Sequence, residues 1–211
     1  MRLFLSSYRL GNRPEELLRL LRGGRRIALI MNAADYKPPE ERAESLQREL
    51  DELGGLGLHV TNVDLRDYFG RPEALVGALA GMDGLYVRGG NVYILRRALR
   101  QSSADILIPV LLAEDRLVYA GYSAGPCMLG PTLRGIESEE DDPHFVPDGY
   151  EAPVLWDGLG LLPYAILPHY DPDRPDMQAT VHYYIENHVP FVALRDGEAL
   201  VVDGEDLRVV R

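Results

Sequence analysis

The chain has a single cysteine, Cys127, so no intramolecular disulfide forms and no cysteine-based metal cluster is available. It has a single tryptophan, and of its 22 basic residues only Lys37 is lysine. Positive charge is in deficit: the formal net charge is −11 and the pI is near 4.9. A phosphate polyanion is repelled by such a surface, which excludes nucleic acid as an expected partner. The longest apolar runs, ILIPVLLA at 106–113 and RIALIM at 26–31, fall far short of the ~20 residues of a membrane span. The N-terminal MRLFLSSYRLGNR has no signal-peptide core and no small-residue cleavage site. These absences lead to the expectation of one cytoplasmic domain over 1–211, with neither metal nor organic cofactor.

What is present is an alternation of short apolar runs with helical periods. Strands are expected at Met1–Ser6, Arg26–Asn32, Leu58–Val63, Gly84–Val87 and Leu117–Tyr122. Helices are expected at Pro14–Arg22, Pro39–Leu53, Arg71–Leu79, Val92–Gln101 and Ser103–Asp115. That order predicts an α/β fold, a doubly wound sheet with helices on both faces, which binds ligands at the carboxyl ends of its strands. Residues 130–160 carry turn formers, an acidic cluster and little periodicity, so they read as a long functional loop. Regular structure returns with a strand at Tyr164–Leu167 and a helix at Met177–Asn187. Two strands, Phe191–Arg195 and Ala199–Val202, are joined by the Asp196-Gly197 turn signal, and a last one is expected at Leu207–Val210.

The strongest local signal is LVYAGYSAGPCMLG. Apolar β-formers run into Gly121-Tyr122-Ser123-Ala124-Gly125, a G-x-S-x-G nucleophile elbow. Small neighbours let the serine stand on a tight strand-to-helix turn with its hydroxyl clear of the sheet. The Ala124 amide and the helix that follows favour a developing oxyanion. Gly89-Gly90-Asn91 ends another strand and offers amides for a second oxyanion donor, with Asn91 either near the substrate or capping the next helix. Cys127 reads as a small apolar residue packed on that helix.

A serine nucleophile needs a base. His169 follows the apolar run YAILP at a strand's carboxyl end and is preferred over His59, His144, His182 and His188. The acid that orients the imidazole stays open on this evidence among Glu137, Glu139, Glu140, Asp141, Asp142, Asp171, Asp173 and Asp196. Several like charges in one loop are costly to bury together, so most of that run is expected to face water.

Taken together, GGNVYIL (89–95), AGYSAGPCMLGPTLR (120–134), DGLGLLPYAILPHYD (157–171) and VALRDGEAL (192–200) resemble the peptidase E, or aspartyl dipeptidase, family of serine peptidases. The resemblance implies a flavodoxin-like, class I glutamine-amidotransferase-like three-layer sandwich. It also implies hydrolysis of short peptides, typically dipeptides beginning with aspartate. By motif, Ser123 matches the nucleophile, His169 the base, and Gly90 and Ala124 the oxyanion-hole positions. Well-known members carry an Asn-Asp pair a little over a dozen residues after the nucleophile. Here the stretch is Gly135-Ile136-Glu137-Ser138, and Glu137, the nearest acid, is the expected third member of a Ser-His-Glu triad, with Asp196 second. The segment that supplies the family's aspartate-binding arginine is shortened, with Gln178 or Thr180 near that place, which leaves Arg174 as the expected substitute. Asn91 is placed with Arg174 among the substrate-binding residues. The sequence leaves room for a homodimer. Two other readings stand beside this one: a small α/β-hydrolase-type esterase, and a catalytically silent binding domain on the same fold.

Overall fold

The computed structural model describes residues 1–211. Its strands are β1 (Arg2–Ser6), β2 (Arg26–Ile30), β3 (His59–Asn62), β4 (Gly84–Val87), β5 (Val118–Tyr122), β6 (Ala165–Leu167), β7 (Phe191–Ala193), β8 (Ala199–Asp203) and β9 (Asp206–Val210). Its helices are α1 (Glu15–Leu21), α2 (Pro39–Gly55), α3 (Pro72–Leu79), α4 (Val92–Gln101), α5 (Ala104–Ala113), α6 (Ala124–Cys127) and α7 (Pro175–Glu186). Seven strands form one sheet in the order β3-β2-β4-β5-β1-β8-β9. The first five of these run parallel, β8 is antiparallel to β1, and β9 is antiparallel to β8.

The layers follow from side-chain alternation along the buried strands. Leu3, Leu5, Ile30, Leu85, Val87, Tyr119 and Leu200 point to one face and pack with α3, α4 and α5. Phe4, Ile27, Leu29, Tyr86, Val118, Ala120 and Val201 point to the other and pack with α1 and α2. This is the three-layer α/β sandwich expected from the alternation, with every expected strand and helix present. No helix is long and apolar enough to cross a membrane.

One pairing differs from the sequence expectation. β7 does not form a hairpin with β8. It pairs in parallel with β6 in a separate two-stranded sheet, and α7 covers it through Tyr184, which stacks near Phe191. The Asp196-Gly197 turn therefore carries the chain from the small sheet into the large one. It is tied to the first strand-end segment, with Ser7 N–H donating to Glu198 O and Asn12 N–H donating to Gly197 O.

The long loop holds no helix or strand between Cys127 and Ala165, yet it is anchored along α4. Arg97, 1% exposed, donates to the carbonyls of Pro143, Ala152 and Pro153. Tyr93 donates its hydroxyl to Leu133 O. The loop is thereby strapped across the carboxyl edge of the sheet.

Candidate active site

The carboxyl ends of β1, β4, β5 and β6 open into one cavity of about 700 Å³, a size suited to a small-molecule or short-peptide ligand. Ser123 stands on its floor at φ 55°, ψ −112°. A non-glycine residue rarely adopts that conformation, and in a strand-to-helix elbow it is what lifts the hydroxyl out of the sheet. The flanking glycines have a steric reason. A Cβ on Gly121 would lie 2.4 Å from Val87 O, and one on Gly125 would lie 2.7 Å from the same oxygen. Only glycine on both sides lets the elbow press against β4. The following helix, α6, is a single turn. It is too short for the sizeable dipole expected from the sequence, so its electrostatic contribution reduces to individual amides.

Two such amides are free. Gly90 N–H and Ala124 N–H have no hydrogen-bond partner within the chain. Gly90 sits at φ 141°, with a would-be Cβ 2.4 Å from Ala33 O, a position closed to any other residue. Both residues line the cavity beside Ser123.

His169 follows β6 in a left-handed conformation, φ 56°, and also lines the cavity. Its Nδ1 is 2.7 Å from Asp196 Oδ1. A carboxylate only accepts, so Nδ1 is the donor of this bond, and in the neutral ring that tautomer leaves the lone pair on Nε2. The ring packs edge-on against Tyr8, with centroids 5.9 Å apart. The side chains of Ser123 and His169 face the same cavity without a hydrogen bond between them, a spacing common in sites without substrate.

Ser7, just past β1 and fully buried, joins these pieces. Its hydroxyl accepts from His169 N–H at 2.8 Å and donates to Asp196 Oδ1 at 2.9 Å. Leu194 O, at 3.1 Å, is the competing acceptor. A charged acceptor is favoured over a neutral one. The backbone carbonyl of Ser7 also accepts from Ser123 N–H at 3.2 Å. One buried serine thus bonds to all three. Nothing in the local sequence marks it, because its partners lie 162 and 189 residues away.

The remaining residues singled out from the sequence are placed differently. Glu137 lines the cavity, but its carboxylate accepts from Gly135 N–H at 2.5 Å and is not on His169. The short turn at Gly135 folds the side chain back onto its own backbone, so the acid beside the imidazole is Asp196. Asn91 is 3% exposed and fully engaged. Its Oδ1 caps α4 by accepting from Tyr93 and Ile94 N–H, and its Nδ2 donates to the carbonyls of Glu140 and Asp142. It is an N-cap and a loop tether rather than a substrate contact. Arg174 does line the cavity, with its guanidinium bound to Asp176. Asp141 is not solvated as its neighbours are. It accepts from Val92 N–H at 2.8 Å, and burial pushes its carboxyl up to about 6. Cys127 is buried, with its thiol against Ile166 O and pushed well up by burial, as a packing residue should be.

Comparison with known proteins bears on the family and the fold. The model of a family described as peptidase family S51 matches residues 6–210. Peptidase E of Shewanella denitrificans is 27% identical over 225 residues, covering 99% of this chain and 86% of that protein. A Drosophila melanogaster protein assigned as an alpha-aspartyl dipeptidase is 30% identical over 136 residues, 61% of this chain and 53% of the relative. Among solved structures, a Listeria monocytogenes protein described as a candidate peptidase E superposes with a TM-score of 0.75. That match covers 100% of this chain and 98% of the other at 24% identity, a likeness of fold.

Proposed function

The chain belongs to peptidase family S51, and on that premise we propose that it is a serine-type dipeptidase. In this reading it uses Ser123, His169 and Asp196 to cleave short peptides with a free N-terminus, with acidic first residues preferred. The observation that carries the reading is the hydrogen bond to Asp196 made by Nδ1 of His169, whose ring faces the cavity that Ser123 enters. It leaves Nε2 as the base.

The Ser123 hydroxyl attacks the scissile carbonyl carbon while His169 Nε2 takes its proton. Asp196 holds the imidazolium and its tautomer. The carbonyl oxygen becomes an oxyanion beside the free amides of Gly90 and Ala124, where losing one donor costs about 10²–10³ in rate. His169 then returns the proton to the leaving amine. Water repeats the sequence on the acyl-enzyme and frees Ser123.

The roof supports restriction to short substrates. The loop is strapped to α4, and its Glu137–Asp141 segment lines the cavity mouth. A long chain has little room beneath it, and the loop's carboxylates suit an α-ammonium group.

The test is turnover of a panel of Asp-Xaa and Ala-Xaa dipeptides, with and without an N-acetyl group, by the wild-type protein and Ser123→Ala. Cleavage of free dipeptides, lost on acetylation and in Ser123→Ala, supports the proposal. Hydrolysis of p-nitrophenyl acetate without any peptide cleavage would turn the reading toward an esterase. No turnover of any ester, amide or peptide would leave a binding domain.

A further inference from the structure

The cavity is lined by five cationic side chains, Arg9, Lys37, Arg48, Arg88 and Arg174. Three of them have close carboxylate partners: Arg9 with Glu52 at 3.1 Å, Lys37 with Glu41 at 3.3 Å, and Arg174 with Asp176. Arg48 has none. Arg88 has only Glu49, at a loose 3.8 Å. The two remaining guanidinium groups nonetheless converge. Arg48 Nη2 and Arg88 Nη2 each donate to Ser45 Oγ at 3.0 Å, and Ser45 is 1% exposed. A neutral hydroxyl with two lone pairs holds two like charges side by side, an arrangement that repels itself until an anion arrives.

The pair stands beside the reacting centre on two counts. Arg88 Nη1 rests on Gly89 O, and a Cβ on Gly89 would lie 2.6 Å from Ser123 Cβ. Tyr122, next to the nucleophile, donates its hydroxyl to Glu49 Oε1 at 2.6 Å. Burial raises the Glu49 carboxyl, and the Tyr122 hydroxyl and Arg88 pull it partly back down.

We propose that Arg48 and Arg88, held by Ser45, form the subsite that grips a carboxylate of the substrate. Resting on the peptidase reading above, this names the cation that reading needs. It replaces Arg174, whose charge Asp176 already neutralises. Guanidinium forks match carboxylates in planar, bidentate geometry. The carboxylate comes from an acidic first side chain or from the C-terminus of a dipeptide.

Binding of Asp-Phe, Asn-Phe and Asp-Phe amide is measured by calorimetry in the Ser123→Ala background, with and without Arg48→Gln/Arg88→Gln. That readout does not depend on turnover, so failure of the subsite is separable from failure of the peptidase reading. Charged hydrogen bonds of this kind predict a loss of about 10- to 100-fold on removal. A loss for Asp-Phe and its amide but not for Asn-Phe assigns the side chain as the source. A loss for Asp-Phe and Asn-Phe but not for the amide assigns the C-terminus. Arg48→Lys/Arg88→Lys, which keeps the charge, should retain a large part of the affinity, and its thermal midpoint controls for folding. Equal loss on all three peptides, loss below twofold on each, or no binding of any of them overturns the proposal.

Discussion

Replacing Asp196 isolates how much a solvent-facing acid gives to the base. Its side chain is 59% exposed, whereas that of His169 is 29% exposed. Two unit charges about 4 Å apart attract by ~1 kcal/mol in water and ~4 kcal/mol at an effective dielectric of ~20. Exposure places this pair toward the weaker end, at ~1–2 kcal/mol, or ~5- to 30-fold in rate. Asp196→Asn keeps one acceptor oxygen for Ser7 Oγ and His169 Nδ1, removes the charge and turns the other oxygen into a donor. It should lower kcat by that amount. Asp196→Ala removes the hydrogen bond as well and should lower kcat by ~10²–10³, short of the ~10⁴ typical of a buried triad acid. KM should change little, because Asp196 does not line the cavity. The assay is steady-state dipeptide hydrolysis with thermal unfolding as the folding control. Either variant within twofold of wild type in kcat would refute the reasoning.

Three further outcomes follow from the same contacts. Ser7→Ala leaves the His169 amide and Asp196 without their shared partner; kcat should fall ~10- to 100-fold with KM held, alongside a stability loss of ~1–3 kcal/mol in denaturant titration. Glu137→Gln keeps an oxygen for Gly135 N–H and should leave kcat within about twofold, checked in the same hydrolysis assay; a loss above 100-fold would return the acid's role to Glu137. Asp141 titrates at about 6 in the folded chain against ~3.9 unfolded, so its ionisation costs the fold at most ~3 kcal/mol, a cost absent below pH ~4 and complete once the pH has risen past about 6. Asp141→Asn should therefore raise the thermal midpoint by a few degrees at pH 8 and not at pH 4, as differential scanning calorimetry at the two pH values would show.

The centre of the sheet was readable because its strands are buried on both faces and appear as continuous apolar runs, such as Ile27–Ile30 and Val118–Tyr122, punctuated by Gly and Pro. The elbow was readable because its glycines answer a local steric demand, the closeness of Val87 O. Pairings set by the tertiary fold were not. The Asp196-Gly197 signal is a true turn, with Gly197 at φ 93°, yet β7 finds β6 and β8 finds β1. No local pattern distinguishes that from a hairpin. The acid on His169 was ranked second for a related reason. Glu137 follows the motif closely in sequence, but its side chain has a nearer donor in Gly135 N–H. Asp196 reaches the imidazole only because the second sheet ends beside β1. Asn91 was placed among the substrate contacts although its position before α4 also suits an N-cap; the cap won because its Oδ1 meets the Tyr93 and Ile94 amides and its Nδ2 two loop carbonyls.

The most direct measurement is covalent labelling of the wild-type protein with a fluorophosphonate, followed by peptide mass spectrometry. An activated serine with a neighbouring base and free oxyanion donors should take up one phosphonyl group on the peptide containing Ser123, in parallel with loss of dipeptide hydrolysis. Labelling should vanish in Ser123→Ala and slow in Asp196→Ala. Full inactivation with the label on another residue, or an unlabelled Ser123 in protein that still cleaves dipeptides, would contradict the account.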